Sequence, residues 1–193
     1  MSEFNQTVPV AAIKAAALFA AKEAGRYAFH GLLLEHGRLV ATDGRRLAVV
    51  EWKPAEGDTE PPKGCILPTE ELTRAAKVKR ASIVVVNGAM VSRDHASRGE
   101  AGNLSTIPYQ LVEGEFPDFR AVMPKGDEAK PKAEVVRFNP GFLADIGKAA
   151  AIIQAEKDGQ DVACSLNGFK APAVFVCQHK SLSLRVVLMP ITS

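Results

Sequence analysis

The sequence is poor in the residues that mark most specialised classes of protein. Its three cysteines, Cys65, Cys164 and Cys177, are odd in number and lack metal-ligand spacing, so neither a disulfide scaffold nor a zinc site is expected. The four histidines are scattered, and no glycine-rich phosphate-binding loop occurs. The apolar stretch 8–21 is interrupted by Lys14 and is too short to cross a bilayer. We therefore expect a reduced cytoplasmic globular protein that uses no metal or cofactor and is not an enzyme.

Charge of one sign is not in excess either. The 193 residues include 24 lysines and arginines against 22 acidic residues, a net charge of +2, so the chain is not a polycation of the histone type. Basic side chains are nevertheless clustered at Arg74, Lys77, Lys79 and Arg80, and such a stripe is compatible with sequence-independent contact to nucleic acid. Hydrophobic residues make up 47% of the chain, which permits a packed core in one large or two small domains.

A pattern of a capped helix followed by short strands occurs three times. The first unit, 8–53, predicts a helix at 10–24 capped by Thr7, and strands at 27–35, 38–42 and 46–52. The second, 65–124, predicts a strand at 65–67, a helix at 70–79 capped by Thr69, and strands at 82–87, 89–95 and 102–112. The third, 133–193, predicts a strand at 134–138, a helix from the cap Asn139 to about 157, and strands at 162–166, 173–178 and 183–190. The fold class is therefore α+β, built from three βαβββ-type units.

Asp43-Gly44 lies between two strand-like runs, where glycine supplies the positive φ that a hairpin turn needs. The whole octet 41–48, Ala-Thr-Asp-Gly-Arg-Arg-Leu-Ala, resembles the signature hairpin in the second domain of the bacterial DNA polymerase III β subunit, the sliding clamp. Residues 113–124 resemble the interdomain segment of that family, residues 136–145 the entry into a third-domain helix, and residues 187–191 the C-terminal strand. The four segments follow one another in the family's order.

This resemblance implies the DNA clamp fold, in which helices lie on one face of antiparallel sheets and line a central hole. Residues 1–124 match a complete clamp domain of two half-units, resembling the second domain, 125–132 form a linker, and 133–193 match the second half of the third domain. The family's first domain and the first half of its third have no counterpart. A clamp ring contains twelve half-units, so four chains of three half-units would close a homotetrameric ring. A dimer or a monomer that never closes is the alternative.

The resemblance also implies two functional surfaces. Basic residues on the hole-facing helices would contact phosphates without reading bases, and the candidates are Lys14, Lys22, Arg26, Arg74, Lys77, Lys79, Arg80, Lys148 and Lys157. A pocket at a domain boundary would receive a short peptide of a partner, and its candidates are Phe29, Thr42, Gly44, Arg45, Arg46, Leu47, Pro124, Val187, Met189 and Pro190. We expect Arg46 and backbone groups to orient the peptide. Phe29 is bulkier than the aliphatic residue usual in the family, and Arg45 replaces a common histidine.

The function implied is that of a clamp-like processivity factor that encircles duplex DNA as a homo-oligomeric ring. It would tether polymerase or repair proteins that carry a clamp-binding peptide, with a clamp loader as a possible further partner. The alternative is a non-ring decoy or regulator that binds clamp-interacting peptides. Basic helix residues favour the first hypothesis, and the missing half-domains favour the second.

Overall fold

The computed structural model describes residues 4–22, 28–77, 82–93, 105–123, 136–154, 161–166 and 171–191. Within these ranges the chain forms three α-helices, eleven strands and a 3₁₀ turn at Phe119–Val122. The helices are α1 (Val10–Ala17), α2 (Thr69–Ala75) and α3 (Pro140–Ile153). The strands are β1 (Asn5–Pro9), β2 (Gly31–Glu35), β3 (Arg38–Thr42), β4 (Arg46–Trp52), β5 (Ile66–Pro68), β6 (Ser82–Val86), β7 (Ala89–Arg93), β8 (Ser105–Pro108), β9 (Ala163–Ser165), β10 (Ala173–His179) and β11 (Leu182–Leu188).

The strands form two antiparallel sheets. The smaller has the order β1-β6-β7-β8, and the larger has the order β5-β2-β3-β4-β11-β10-β9. The larger sheet combines strands of the first and third units, because β4 pairs with β11 over seven residues, from Arg46 opposite Leu188 to Trp52 opposite Leu182. The third unit is therefore joined edge to edge with the first. The division into domains at 124 and 132 stays a prediction.

The first two units exchange their leading strands. β1 comes directly before α1 but pairs with β6 of the second unit, while β5 comes directly before α2 and pairs with β2 of the first. β1 was not predicted, and the prediction of Thr7 as a helix cap was wrong, since Thr7 lies in that strand. The N-cap residue of α1 is Pro9, whose extended backbone ends the strand and starts the helix.

All three helices cover the same side of the two sheets. Ile13 of α1, Leu72 of α2 and Ile146 of α3 are buried in one hydrophobic cluster with Leu34 of β2 and Ile83 of β6. Burying each such aliphatic side chain contributes about 1.5–3 kcal/mol. We call this first cluster the helix-side cluster. Because side chains alternate along a strand, the opposite face of the larger sheet has a second, smaller cluster, the outer cluster, which includes Leu47, Phe119 and Val187. The expected arrangement of helices on one face of antiparallel sheets is confirmed.

The helix boundaries differ from the predicted ones. α1 ends at Ala17, because a tighter turn follows in which Phe19 donates its amide hydrogen to the Ala16 carbonyl and buries its ring. α2 is also shorter, and the Thr69 hydroxyl donates 2.6 Å to the His30 carbonyl instead of capping the helix. α3 begins as predicted, with the Asn139 side chain accepting from the Gly141 amide at 2.8 Å.

Several strands are shorter than predicted, and the described part of 134–138 is not a strand. β2 begins at Gly31 and β11 ends at Leu188, and within the described part of the predicted 102–112, β8 covers only Ser105–Pro108. The predicted helix end near 157 lies outside the described residues.

Candidate functional site

A groove of about 200 Å³ lies on the side of the larger sheet that faces away from the helices. The hairpin between β3 and β4 forms one wall, the end of β11 forms another, and the 3₁₀ turn with the residues before it forms the third. The groove therefore combines parts of all three units. It is lined by Phe29, Thr42, Gly44, Arg45, Arg46, Leu47, Pro117, Asp118, Phe119, Val122, Val187 and Met189.

Strand alternation decides which side chains reach this groove. Along β4, Ala48 and Val50 belong to the helix-side cluster, whereas Leu47 belongs to the outer cluster and contributes to the groove floor. Along β11, Val187 lies on the outer side, and Met189, two residues further on, is 48% exposed at the rim. A ligand with apolar side chains would therefore meet a largely aliphatic surface with aromatic edges.

The hairpin is held by its own side chains. The Thr42 hydroxyl donates 2.8 Å to the Arg46 carbonyl and accepts 3.0 Å from the Gly44 amide. The Asp43 carboxylate accepts from the amides of Arg45 and Arg46 at 3.0 and 3.1 Å. Asp43 and Arg46 thus flank a two-residue tip, so the tip is Gly44-Arg45 and not the predicted Asp43-Gly44.

Gly44 needs its lack of a side chain for two reasons. Its φ is +85°, which L side chains rarely adopt, and a Cβ there would lie 3.3 Å from the Phe29 ring. The bulky Phe29 therefore closes directly over the hairpin tip and narrows this end of the groove.

The Arg46 guanidinium does not point into the groove. It contacts Asp43 at 2.9 Å, Asp145 of α3 at 2.7 Å and the Leu18 carbonyl at 2.9 Å. It also lies over the rings of Phe19 and Phe142, 5.0 and 4.6 Å from their centroids. The physical reason is that side chains alternate along a strand, so residue 46 points to the same helix-side face as residues 48 and 50. The predicted orienting role of its charged end is therefore corrected, since the guanidinium connects the hairpin to α1 and α3.

This network also changes the titration of one acid. Partial burial alone would raise the pKa of Asp145, but hydrogen bonds from Arg46 and Lys148 and their positive charges outweigh burial, so its pKa is lowered. Asp145 therefore stays ionised at neutral pH.

The third wall of the groove was not predicted from the sequence. Pro117, Asp118, Phe119 and Val122 all line it, although they were treated only as a connecting segment. The Asp118 side chain caps the 3₁₀ turn by accepting from the Arg120 amide at 3.1 Å, and Phe119 is buried in the outer cluster. The signal was available, because these residues lie within one of the four segments that resemble the clamp family.

Two predicted groove residues are not among the described lining residues. Pro190 is buried instead, because in the alternation along the chain it faces the side opposite to Val187 and Met189. Pro124 lies outside the described residues. The other eight predicted residues come together in one groove.

The described basic candidates lie on the helices, or, for Lys22 and Lys77, in the turns that follow them. Lys14, Lys22, Arg74 and Lys77 are exposed and form no ion pair with another described residue. Lys148 is also exposed, but its ammonium contacts Asp145 at 3.1 Å. The remaining candidates, Arg26, Lys79, Arg80 and Lys157, lie outside the described residues.

No alternative chemistry is evident in the described part of the chain. Within it, no three histidine, cysteine or acidic side chains are grouped as a metal site. None of the described helices has the length and hydrophobicity to span a membrane. Burial raises the pKa of Cys65 to about 12, and burial together with the Asp161 charge raises that of Cys177 to about 11, so both thiols are unreactive at neutral pH.

Comparison with known sequences identifies relatives. The beta sliding clamp of Pseudomonas putida KT2440 is 34% identical over 113 residues, which make up 53% of this chain and 28% of that protein. The beta sliding clamp of Escherichia coli K12 is 28% identical over 172 residues, or 81% of this chain and 42% of that protein. The chain therefore spans less than half the length of these relatives. No protein-family model matches the sequence.

Comparison with solved structures finds the same fold in sliding clamps. The sliding clamp of Caulobacter crescentus superposes with a TM-score of 0.71 at 20% identity, covering 100% of this chain and 68% of that one. A Bartonella birtlesii clamp bound to griselimycin gives 0.69 at 17% identity, covering 99% and 66%. A Helicobacter pylori clamp bound to a DNA ligase peptide gives 0.65 at 17% identity, covering 99% and 66%. The fold is that of the sliding clamps, and the resemblance inferred from the sequence is confirmed.

Proposed function

Because this chain is a relative of the bacterial beta sliding clamps and has their fold, we propose that it is a clamp-like processivity factor. It encircles duplex DNA as a homo-oligomeric ring and holds polymerase or repair proteins there by binding a short peptide of theirs. The observation that carries the proposal is the groove, in which eight residues chosen by resemblance lie together with the segment that precedes the third unit. No reaction is catalysed, and the expected location is the cytoplasm.

The groove supports peptide capture through its chemistry. Its floor and rim are formed by Leu47, Val187 and Met189, and the rings of Phe29 and Phe119 flank them. A peptide with two or three apolar side chains would bury them there and leave its polar groups to water and to the exposed Asp118 carboxylate. Tethering then makes each rebinding of a polymerase an intramolecular event at high effective concentration.

The helix side supports contact with DNA. Lys14, Lys22, Arg74 and Lys77 are available as phosphate partners, whereas Lys148 is partly neutralised by Asp145. The proposal also includes Arg26, Lys79, Arg80 and Lys157. Because Glu70 and Glu71 lie on α2 as well, the described helix side has only a moderate excess of positive charge. A weak, sequence-independent attraction of this kind suits a ring that must slide.

The ring is proposed from the number of units. With three half-units in each chain, four chains supply the twelve that a clamp ring contains, and a clamp loader would open it. The groove also favours a second candidate function, because all of its walls come from a single chain and need no ring. A peptide-binding regulator that does not encircle DNA would use the same groove.

The groove is tested with two probes, griselimycin and the DNA ligase peptide bound by the Helicobacter pylori clamp. We expect Met189→Glu and Val122→Glu to weaken binding of both by at least tenfold in calorimetry, because these half-exposed side chains lie at the rim. The matched control is Ile191→Glu, which is 53% exposed and does not line the groove. Equal affinity of Met189→Glu and Ile191→Glu would remove the groove from the proposal.

The ring is tested separately. We expect a mass near four chains in light scattering, and retention on circular but not on linearised DNA, because only a closed ring is trapped topologically. Binding before closure should weaken steeply with salt, as phosphate contacts require. A concentration-independent monomer that binds peptide and ignores DNA would replace the ring with the regulator.

A further inference from the structure

The third unit repeats a structural rule of the first two, but no described residue of the same chain provides the partner that the rule requires. In the first two units, the segment before each helix pairs with the first strand after the other unit's helix. The register is the same in both cases. The N-cap residue Pro9 lies opposite Ser82, the first residue of β6, and the N-cap residue Pro68 lies opposite Gly31, the first residue of β2.

The other edge of each leading strand is occupied as well. In both units, the segment that follows the unit's last strand donates a backbone hydrogen bond to the leading strand. The Thr59 amide donates 2.7 Å to the Asn5 carbonyl of β1, and the Val112 amide donates 2.9 Å to the Ile66 carbonyl of β5. The third unit follows this part of the rule, because the Ile191 amide donates 2.8 Å to the Arg137 carbonyl, just before α3. Residues 136–138 therefore occupy the place of a leading strand, although they form no strand within the chain, and one of their edges is occupied.

What is missing is the partner for the other edge. β9, the first described strand after α3, pairs with β10 only, and no described residue occupies its outer edge. All three residues of β9 are exposed, whereas four of the five residues of the corresponding β2 are buried. An open strand edge of this kind is a template for pairing with another chain.

The helix of the third unit has an exposed apolar side as well. Leu143 is 40% exposed, and Gly147 and Ala151, one and two turns further along α3, are exposed too. α1 packs against α3, so this exposed line is a different side of the helix. Because Gly147 and Ala151 are small, a second helix would approach closely along it.

We propose that two copies of this chain pair through their third units by reciprocal strand exchange. Residues 136–138 of each copy add to β9 of the other, and the two α3 helices pack along the line of Leu143. The common register of the first two units places Phe138 opposite Cys164 and Arg137 opposite Ser165. A two-fold axis satisfies both copies at once, because each carries one leading segment and one open edge. The inference rests on the proposed ring, for which it supplies one subunit interface.

The test is a disulfide across the predicted register. Arg137→Cys and Ser165→Cys are introduced together with Cys164→Ser, all at exposed positions. Opposed residues of an antiparallel pair have Cα atoms about 4.5–5.5 Å apart, within the span of a disulfide. On oxidation with copper–phenanthroline, we expect most of the protein to run as a covalent dimer on a non-reducing gel. We expect no larger covalent oligomer. The control, Arg137→Cys with Ala163→Cys in the same background, is two residues out of register and should give little dimer.

Three results would overturn the exchange. These are absence of a covalent dimer, a disulfide within one chain, and a ladder beyond the dimer, which would indicate a head-to-tail contact. As a second measurement, Leu143→Glu should reduce the mass in light scattering, whereas Met189→Glu, of similar exposure, should not. An unchanged mass for Leu143→Glu would contradict packing along α3.

Neither cysteine position lines the groove, so griselimycin binding is measured on the same protein. A dimer that binds no griselimycin would refute the proposed function and support the exchange. A monomer that binds griselimycin would refute the exchange and the ring, and would leave peptide capture by the groove standing.

Discussion

Replacing Arg46 by alanine should destabilise the fold far more than it changes ligand binding. The Arg46 side chain is 8% exposed and its guanidinium holds two carboxylates, a carbonyl and two aromatic rings. Removing one member of a buried ion pair costs about 3–5 kcal/mol, because the other charge loses its partner. The Asp43 and Asp145 side chains are 20% and 24% exposed, so water can partly solvate them. We therefore expect the lower end of that range, a loss of about 3 kcal/mol.

The assay is urea denaturation, in which the midpoint should fall while the slope stays constant. For a chain of this length the loss corresponds to a melting temperature lower by about 6–12 °C. Arg120→Ala is the matched control, because Arg120 also pairs with a carboxylate, Glu35, but is 59% exposed. Exposed pairs contribute about 0–1 kcal/mol, so this control should change little.

A double-mutant cycle of Arg46 and Asp145 isolates the contact between the hairpin and α3. We expect a coupling energy of about 1–2 kcal/mol for two groups in direct contact. The reasoning is refuted if Arg46→Ala costs no more than Arg120→Ala. It is also refuted if the variant keeps its stability but loses griselimycin affinity tenfold, since the guanidinium would then act on the ligand.

Three further outcomes follow from the same geometry. Gly44→Ala should lower the free energy of unfolding by about 1–2 kcal/mol from its positive φ alone. In urea denaturation the loss should exceed that of Gly57→Ala, because Gly57 has a φ of +88° but no neighbour within 4 Å. The Asp145 carboxyl should contribute stability that is present above its unfolded pKa, 3.8, and is lost as pH falls through its lower folded pKa. Asp145→Asn should therefore flatten the acid limb of a stability–pH curve, and an unchanged limb would contradict the linkage. In the native protein the buried thiols of Cys65 and Cys177 should not react with a thiol reagent, and both should react in urea; rapid reaction of either before unfolding would contradict their burial.

Local chemistry explains what the sequence could predict. The Asn139 cap, the strands β3 and β4, and the helices on one side of the sheets follow from capping and alternation, which depend on neighbouring residues. The groove residues came from the family resemblance and not from periodicity. Eight of the ten lie together because the hairpin and the last strand, more than a hundred residues apart, pair directly.

Features that depend on distant pairing were not predictable. β1 begins with polar residues and looks like a helix approach, and only its partner β6 makes it a strand. The direction of the Arg46 side chain depends on a carboxylate 99 residues away, on α3. The junction of β4 with β11 was not predicted either, because alternation along a strand does not show which distant strand lies beside it.

That junction has a thermodynamic consequence for any molecule held against it. Leu47 comes from the first unit, Phe119 from the end of the second, and Val187 from the third, so a ligand that touches all three binds only while they remain assembled. By linkage, a ligand at one hundred times its dissociation constant adds about 2.7 kcal/mol to the stability of that assembled state. The converse is equally strict, because an event that separates β11 from β4 must release the ligand. Ligand binding in the groove and pairing of β4 with β11 are thus thermodynamically linked, and each stabilises the other.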